Sequence, residues 1–290
     1  MDLTATLARI GYDGPVTPDL ATLRAVHRAW LGAVPYENLD IQLGRPISLH
    51  PADLVDKLVT RGRGGYCYEM NGTLGLLLEA IGFPVTRVRG GVDRETEGDT
   101  AWYNHLALLV EVEGGTWIAD AGLGDGSLEP LPLRPGDYQV GPLTFHLERL
   151  DDRVGGDVWR IRNDHPAYSV RSFDIDTTPR RIEDFAERNT WQYTSPESSF
   201  VKTLVVNRAY ADDAAVVRAR TLTRYGPAIP GGKQSRLLDD ADELGAVLTG
   251  EFAVPAAAIE ADLATLWRQA CEQHAAWQAQ QATDLATRTA

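Results

Sequence analysis

Arg63-Gly64-Gly65-Tyr66-Cys67-Tyr68-Glu69-Met70-Asn71 runs directly into the apolar stretch that ends at Ile81-Gly82-Phe83-Pro84. Met70, Leu74, Leu77, Leu78 and Ile81 form one apolar stripe at helical spacing. Gly82, with Pro84 beyond it, is a normal helix stop. The pattern predicts a helix that starts at Gly64-Gly65-Tyr66-Cys67. Cys67, Asn71, Leu74 and Leu78 are spaced four, three and four apart, so they share a face. The thiol is expected where a buried stripe meets the helix N-terminus. Unpaired N–H groups and the helix dipole favour thiolate there, which predicts a lowered thiol pKa. The two glycines ahead of it are read as room for a substrate close to the backbone, and the same N–H groups could hold an oxyanion.

Upstream, residues 1 to 84 read as helical. Leu20, Leu23, Val26, His27 and Trp30 recur at helical spacing behind Thr17-Pro18, and Pro51 to Val59 gives another short helix. Pro35-Tyr36-Glu37-Asn38 breaks the pattern between them. Downstream, from about Val85 to Arg171, the pattern turns to strands. Residues 105–112 and 116–121 flank the turn Glu113-Gly114-Gly115, and further strands are expected at 143–150 and 157–163. The final third is mixed. Phe200 to Val206 suggests a strand, while Ile259, Leu263, Leu266, Ala270 and Trp277 mark a closing amphipathic helix that frays after Gln281.

Composition limits the functions open to this chain. It has 290 residues, 43% of them hydrophobic, enough for a large core in one to three domains. The formal net charge of -13 disfavours duplex nucleic acid as a partner. A small phosphorylated ligand is still allowed, because local N–H groups or a few arginines can bind one. The two cysteines, Cys67 and Cys271, make neither a disulfide scaffold nor a metal-type spacing. No apolar run reaches the length of a membrane span, and the N-terminus lacks a signal-peptide core. The expected setting is the reducing cytoplasm, with Cys67 a free thiol and Cys271 structural.

A nucleophilic cysteine needs a base, and the base needs an orienting group. His105 is the best base, because it opens the rigid apolar run Leu106-Ala107-Leu108-Leu109-Val110. Asp120 ends the paired strand at a glycine-rich sheet rim, and could hold the imidazole in one tautomer. With Gly114-Gly115 as a two-residue turn, Asp120 faces Leu109. His105 is then on the same face but roughly 13 Å along the strand. A longer turn, a bulge or a sharp twist would be needed to join them.

The motifs around these residues resemble the arylamine N-acetyltransferases. Arg63 to Asn71 is similar to that family's nucleophile motif, and Val34-Pro35-Tyr36-Glu37-Asn38-Leu39-Asp40 to its Pro-Phe-Glu-Asn segment. His105-Leu106, Asp120-Ala121-Gly122-Leu123-Gly124 and Thr194-Ser195-Pro196-Glu197-Ser198-Ser199-Phe200 follow in the family's order. The resemblance runs from about Leu7 to Arg224. It implies a Cys67-His105-Asp120 triad. It also implies an α+β fold in three parts: a helical bundle (1–84), a β-barrel (85–190) and a C-terminal α/β lid (191–290). The first two resemble a papain-like cysteine protease core. The implied reaction is ping-pong, with no bound cofactor and with acetyl-CoA as cosubstrate. Acetyl passes to Cys67 and then to an arylamine, arylhydroxylamine or hydrazine. Tyr36, Leu123, Gly124 and Phe200 fall at substrate-binding positions, and the loop from Gly122 to Gly126 would receive CoA.

The chain departs from the family pattern at three places. Leu123 stands where phenylalanine is common, Asp125 adds a charge to the loop, and Met70 fills a variable position. These bear on substrate identity more than on mechanism. Some relatives are amide synthases of natural-product pathways, which take a longer or carrier-bound acyl chain onto the same cysteine. An acyl carrier protein is then the alternative donor. A hydrolase would share the triad, but the wider resemblance is to acyltransferases.

Overall fold

The computed structural model describes residues 1–141, 143–151, 156–163, 168 and 170–289. Its first part comprises α1 (Leu3–Arg9), α2 (Leu20–Ala33), β1 (Tyr36–Glu37), α3 (Leu39–Gln42), α4 (Pro51–Val55) and α5 (Cys67–Ile81). Asp19 caps α2 by accepting from the Thr22 N–H, so the helix starts just past Thr17-Pro18. The helix expected over 51–59 is α4 followed by one π-helical turn, Asp56–Thr60, which turns Lys57 and Leu58 inward. Gly82 closes α5 at φ +109, a conformation only glycine adopts without strain.

The middle part holds β2 (Val85–Val92), α6 (Arg94–Glu97), β3 (His105–Val112), β4 (Gly115–Ile118), β5 (Leu131–Pro132), β6 (Gly136–Val140), β7 (Leu143–Leu150), β8 (Val158–Asn163) and β9 (Ser172–Pro179). They form one antiparallel sheet in the order β5-β4-β3-β2-β9-β8-β7-β6. The sheet curls into a nearly closed barrel: Ile118, Leu131, Phe145 and Phe173, from four different strands, line one small internal cavity. β3 is covered on both faces. Ala107 and Leu109 face the barrel core, while Leu106, Leu108 and Val110 pack with Met70, Leu74, Leu77 and Leu78 of α5 and Trp30 of α2. Burial on both faces explains the unbroken apolar run of this strand.

The turn between β3 and β4 differs from the expected one. It is Glu113-Gly114, both at positive φ, and Val112 lies opposite Gly115. Leu109 therefore pairs with Ile118, and the register shifts by two residues toward His105. β4 ends at Ile118, so Asp120 lies beyond the strand. The shift keeps the same-face relation and halves the offset between His105 and Asp120, and the chain leaving β4 at Ile118 covers the rest.

The last part contains α7 (Ala186–Thr194), α8 (Ser199–Lys202), β10 (Val205–Ala209), β11 (Ala214–Arg218), β12 (Thr221–Tyr225), β13 (Lys233–Leu237), α9 (Ala241–Gly250) and α10 (Leu263–Thr289). Its sheet is ordered β1-β10-β11-β12-β13, so its first strand comes from the N-terminal part, with Tyr36 opposite Asn207. Phe200 lies in helix α8, not in a strand, because the Ser198 hydroxyl accepts from the Phe200 N–H. The strand begins only at Val205. In the closing helix, Leu266 and Ala270 are buried, but Ile259 precedes the helix and Trp277 is 58% exposed. The helix continues through Thr289 rather than ending near Gln281. No helix among the described residues is long and apolar enough to cross a membrane.

Candidate active site

Cys67 is the first residue of α5 and is only 2% exposed. Its Sγ lies 3.7 Å from the Asn104 carbonyl oxygen. The glycines before it serve packing rather than substrate access. A Cβ on Gly64 would overlap the Pro35 carbonyl oxygen, and one on Gly65 would lie 2.7 Å from the Glu69 carboxylate. Burial pushes the Cys67 thiol up, and the Asp120 charge acts in the same direction. Backbone N–H groups of Tyr68 and Leu106 oppose this without overcoming it. The helix N-terminus alone therefore does not lower the thiol, contrary to the expectation from sequence. A thiolate here needs a cation beside it.

His105 opens β3 and is buried. Its Nε2 lies 2.6 Å from Asp120 Oδ2. The other Asp120 oxygen accepts from Asn71 Nδ2 at 2.8 Å and from the Gly122 N–H at 2.8 Å. Burial works against the Asp120 carboxylate, but His105 and these donors outweigh it and hold the group below its ordinary range. Asn71 is fixed in turn. It donates to the Leu106 carbonyl at 2.6 Å and accepts from the Ala121 N–H at 2.8 Å. Its side chain thus pins α5, β3 and the loop after β4 to one another. The sequence placed Asn71 on the Cys67 face, one turn on, but gave it no role.

Gly122 sits where these groups converge. A Cβ there would lie 2.7 Å from Asn71 Nδ2, 2.9 Å from His105 Cε1 and 3.1 Å from Cys67 Cα. Any side chain at this position would force the imidazole, the amide or the helix start to move. The structure thus gathers Cys67, His105 and Asp120 around one glycine.

A cavity of about 420 Å³ opens beside them, lined by Cys67, His105, Tyr36, Leu123 and Phe200, among others. Phe200 packs against Tyr36 and Tyr66, with ring centroids 6.5 and 5.2 Å apart. Gly124 does not line this cavity. It turns at φ +77 against Asn207, where a Cβ would lie 3.0 Å from Nδ2. Asp125 is buried outside this cavity and accepts from the Tyr225 hydroxyl, so its charge is turned from the large cavity. Met70 packs into the core under α5. The sequence reading missed the polar rim: Arg188, stacked over Trp191 at 4.2 Å, Arg218, Asp93 and Glu97. Asp93 and Glu97 sit at the two ends of α6, whereas Arg188 comes from α7 and Arg218 from β11, and no local spacing joins the acids to the arginines. Cys271 is partly buried on α10.

The N-acetyltransferase family model matches residues 19–259. The arylamine N-acetyltransferase of Mycolicibacterium smegmatis is 38% identical over 232 residues, spanning 77% of this chain and 82% of that one. The Nocardia farcinica arylamine N-acetyltransferase structure superposes with a TM-score of 0.80 at 34% identity, covering 92% of this chain and 95% of its own. The Mycobacterium marinum arylamine N-acetyltransferase, solved in complex with CoA, has a TM-score of 0.80 at 31% identity and covers 93% of this chain and 98% of its own. With the match spanning both the Cys67 helix and the barrel, this chain belongs to the arylamine N-acetyltransferase family.

Proposed function

We propose that this protein transfers acetyl from acetyl-CoA to small aromatic amines, arylhydroxylamines or hydrazines by a ping-pong route through Cys67. The observation that carries this reading is the buried His105–Asp120 contact at 2.6 Å beside the cysteine, on the wall of a cavity of about 420 Å³. Asp120 occupies Nε2, which leaves Nδ1 to take the thiol proton. The proton moves within the site, so the buried thiolate forms as half of an ion pair with imidazolium. That supplies the cation the thiol environment demands. Asp120 orients the ring and balances its charge.

The thiolate attacks the thioester carbonyl, and CoA leaves as its thiol with the proton from His105. The amine then attacks the acetyl-cysteine, His105 accepts the amine proton, and Cys67 is released. Little driving force is needed, because one thioester is exchanged for another. Tyr36, Leu123 and Phe200 form an apolar wall that keeps water from the acyl-enzyme. Arg188 and Arg218 on the rim can meet the CoA phosphates. We place the reaction in a reducing cytoplasm, where the thiol persists.

A second reading rests on Leu123, an aliphatic side chain in the wall of the large cavity at a position where phenylalanine is common in the family. An amide synthase with a longer or carrier-bound acyl group would use the space that a smaller, aliphatic side chain leaves in that wall. Intact-mass measurement with pantetheine thioesters of increasing length separates the two readings. Acetyl addition that disappears in Cys67→Ala supports acetyl transfer, and addition of long chains alone supports the synthase. Addition that survives Cys67→Ala overturns both.

A further inference from the structure

On the side of α5 away from the cavity, five charged side chains are buried together. They are Glu37 of β1, Asp40 of α3, Lys57 of the π-helical turn, Arg63, and Glu69 of α5. Lys57 Nζ lies 2.7 Å from Asp40 Oδ2 and 2.7 Å from Glu69 Oε1. Arg63 lies 2.7 Å from Glu37 and 3.5 Å from Asp40, and Arg45 reaches Asp40 from the surface at 3.4 Å. The second Glu69 oxygen accepts the N–H of Tyr66 at 3.1 Å, the residue directly before Cys67. One carboxylate therefore links Lys57 to the chain entering the nucleophile helix.

This arrangement carries a charge problem. Glu69 is two residues from Cys67, its side chain is 3% exposed, and its charge opposes a thiolate. Asp120 adds a second negative charge from the cavity side, where His105 answers it. On the Glu69 side the direct answer is Lys57, whose side chain is 7% exposed. Its inward placement depends on the π-helical turn, an irregularity that recurs at functional positions.

We propose that Lys57 is a positioning residue for Cys67: it balances Glu69, holds the first turn of α5, and keeps an uncompensated buried charge from facing the sulfur. The proposal rests on reading Cys67 as the nucleophile. It differs from general structural support in one respect, because neutralising Glu69 should replace the need for Lys57.

The test is a charge cycle read by iodoacetamide alkylation of Cys67 against pH and by single-turnover acetylation with acetyl-CoA. Lys57→Met should slow both by about tenfold or more near neutral pH and move the alkylation profile upward, with the KM for the amine nearly unchanged. Lys57→Met with Glu69→Gln should restore both rates to within about threefold of the parent, even at lower thermal stability. A double variant as slow as Lys57→Met, or a Lys57→Met chain that alkylates like the parent, overturns the proposal. If Lys57→Met does not fold, Glu69→Gln alone decides: faster alkylation at a given pH supports the charge argument, and slower or unchanged alkylation overturns it. A parent chain whose Cys67 resists alkylation, or is never acetylated, fails the functional reading instead.

Discussion

Asp120 and Asp174 are both buried carboxylates at the same sheet, yet their surroundings are opposite. Asp174, on β9, accepts from Arg160 at 2.7 and 2.8 Å and from Arg94 at 2.9 Å. Its neighbour Asp176 is held by Arg89 at 2.9 Å. Among the described residues no arginine or lysine pairs with Asp120. It has one imidazole, one amide and one backbone N–H. A carboxylate between guanidinium groups has its charge committed to arginines that never deprotonate. A carboxylate whose only ionisable partner is histidine keeps its charge available for the moment the ring takes a proton. The first arrangement holds strands together, and the second is the one that the proposed acetyl transfer requires.

Exchanging one oxygen for an amide at each site is the sharpest way to break this comparison. Asp120→Asn should lower kcat by about a thousandfold or more, because the imidazole loses both its tautomer and its counter-charge. Its thermal unfolding should change little, since the Asn71 and Gly122 donors still find an acceptor. Normal turnover with a destabilised fold would show that Asp120 belongs with Asp174. Asp174→Asn should do the reverse, lowering unfolding stability by about 3 kcal/mol with kcat nearly unchanged, because it removes the buried charge shared by Arg94 and Arg160 and leaves them only the more exposed Asp99 and Glu95. Chemical denaturation together with steady-state kinetics checks both variants.

Asp40 extends the comparison by a smaller effect. Burial opposes its charge, but Lys57 and Arg63 prevail and hold its pKa down to about 2. A depressed carboxylate stabilises the fold above its unfolded value near 4, and that stability is lost as pH falls toward 2. Asp40→Asn should therefore cost about 2 kcal/mol at neutral pH, with the gap to the parent closing on acidification. Denaturation curves at pH 7 and near pH 2 measure this, and a pH-independent gap would place Asp40 outside the charge-paired class.

What the sequence revealed and what it hid divide along the distance between interacting residues. The Cys67 helix and its stop at Gly82 follow from local spacing, and the strands at 143–150 and 158–163 follow from local alternation. The His105–Asp120 register depended on one turn. Placing it at Glu113-Gly114 instead of Gly114-Gly115 halved the gap that spacing had left open, and the loop after Ile118 closed the rest. Phe200 reads as strand by composition and becomes helical through a single serine cap. The Tyr225 partner of Asp125 lies a hundred residues away, and the charge cluster behind Cys67 joins five segments. No periodicity reports contacts of that kind. The family motifs pointed to the site, but they did not reveal that burial makes the thiol dependent on its neighbours.

The two-residue strand β1 also governs the order in which the protein can be made. Tyr36 and Glu37 hydrogen-bond to β10, opposite Asn207 and Val206, and Asn38 donates to the Phe200 and Thr203 carbonyls. The segment that borders the cavity beside Cys67 therefore meets Arg63 and Gly65 early, but finds its β10 and α8 partners only late in translation. A nascent chain that has released the cysteine helix, and even the whole barrel, still has open edges at Tyr36 and Asn38. Val205 and Asn207 line the cavity, so its wall is complete only after residue 207 leaves the ribosome, and a chain interrupted before that point carries Cys67 in a cavity with one wall missing.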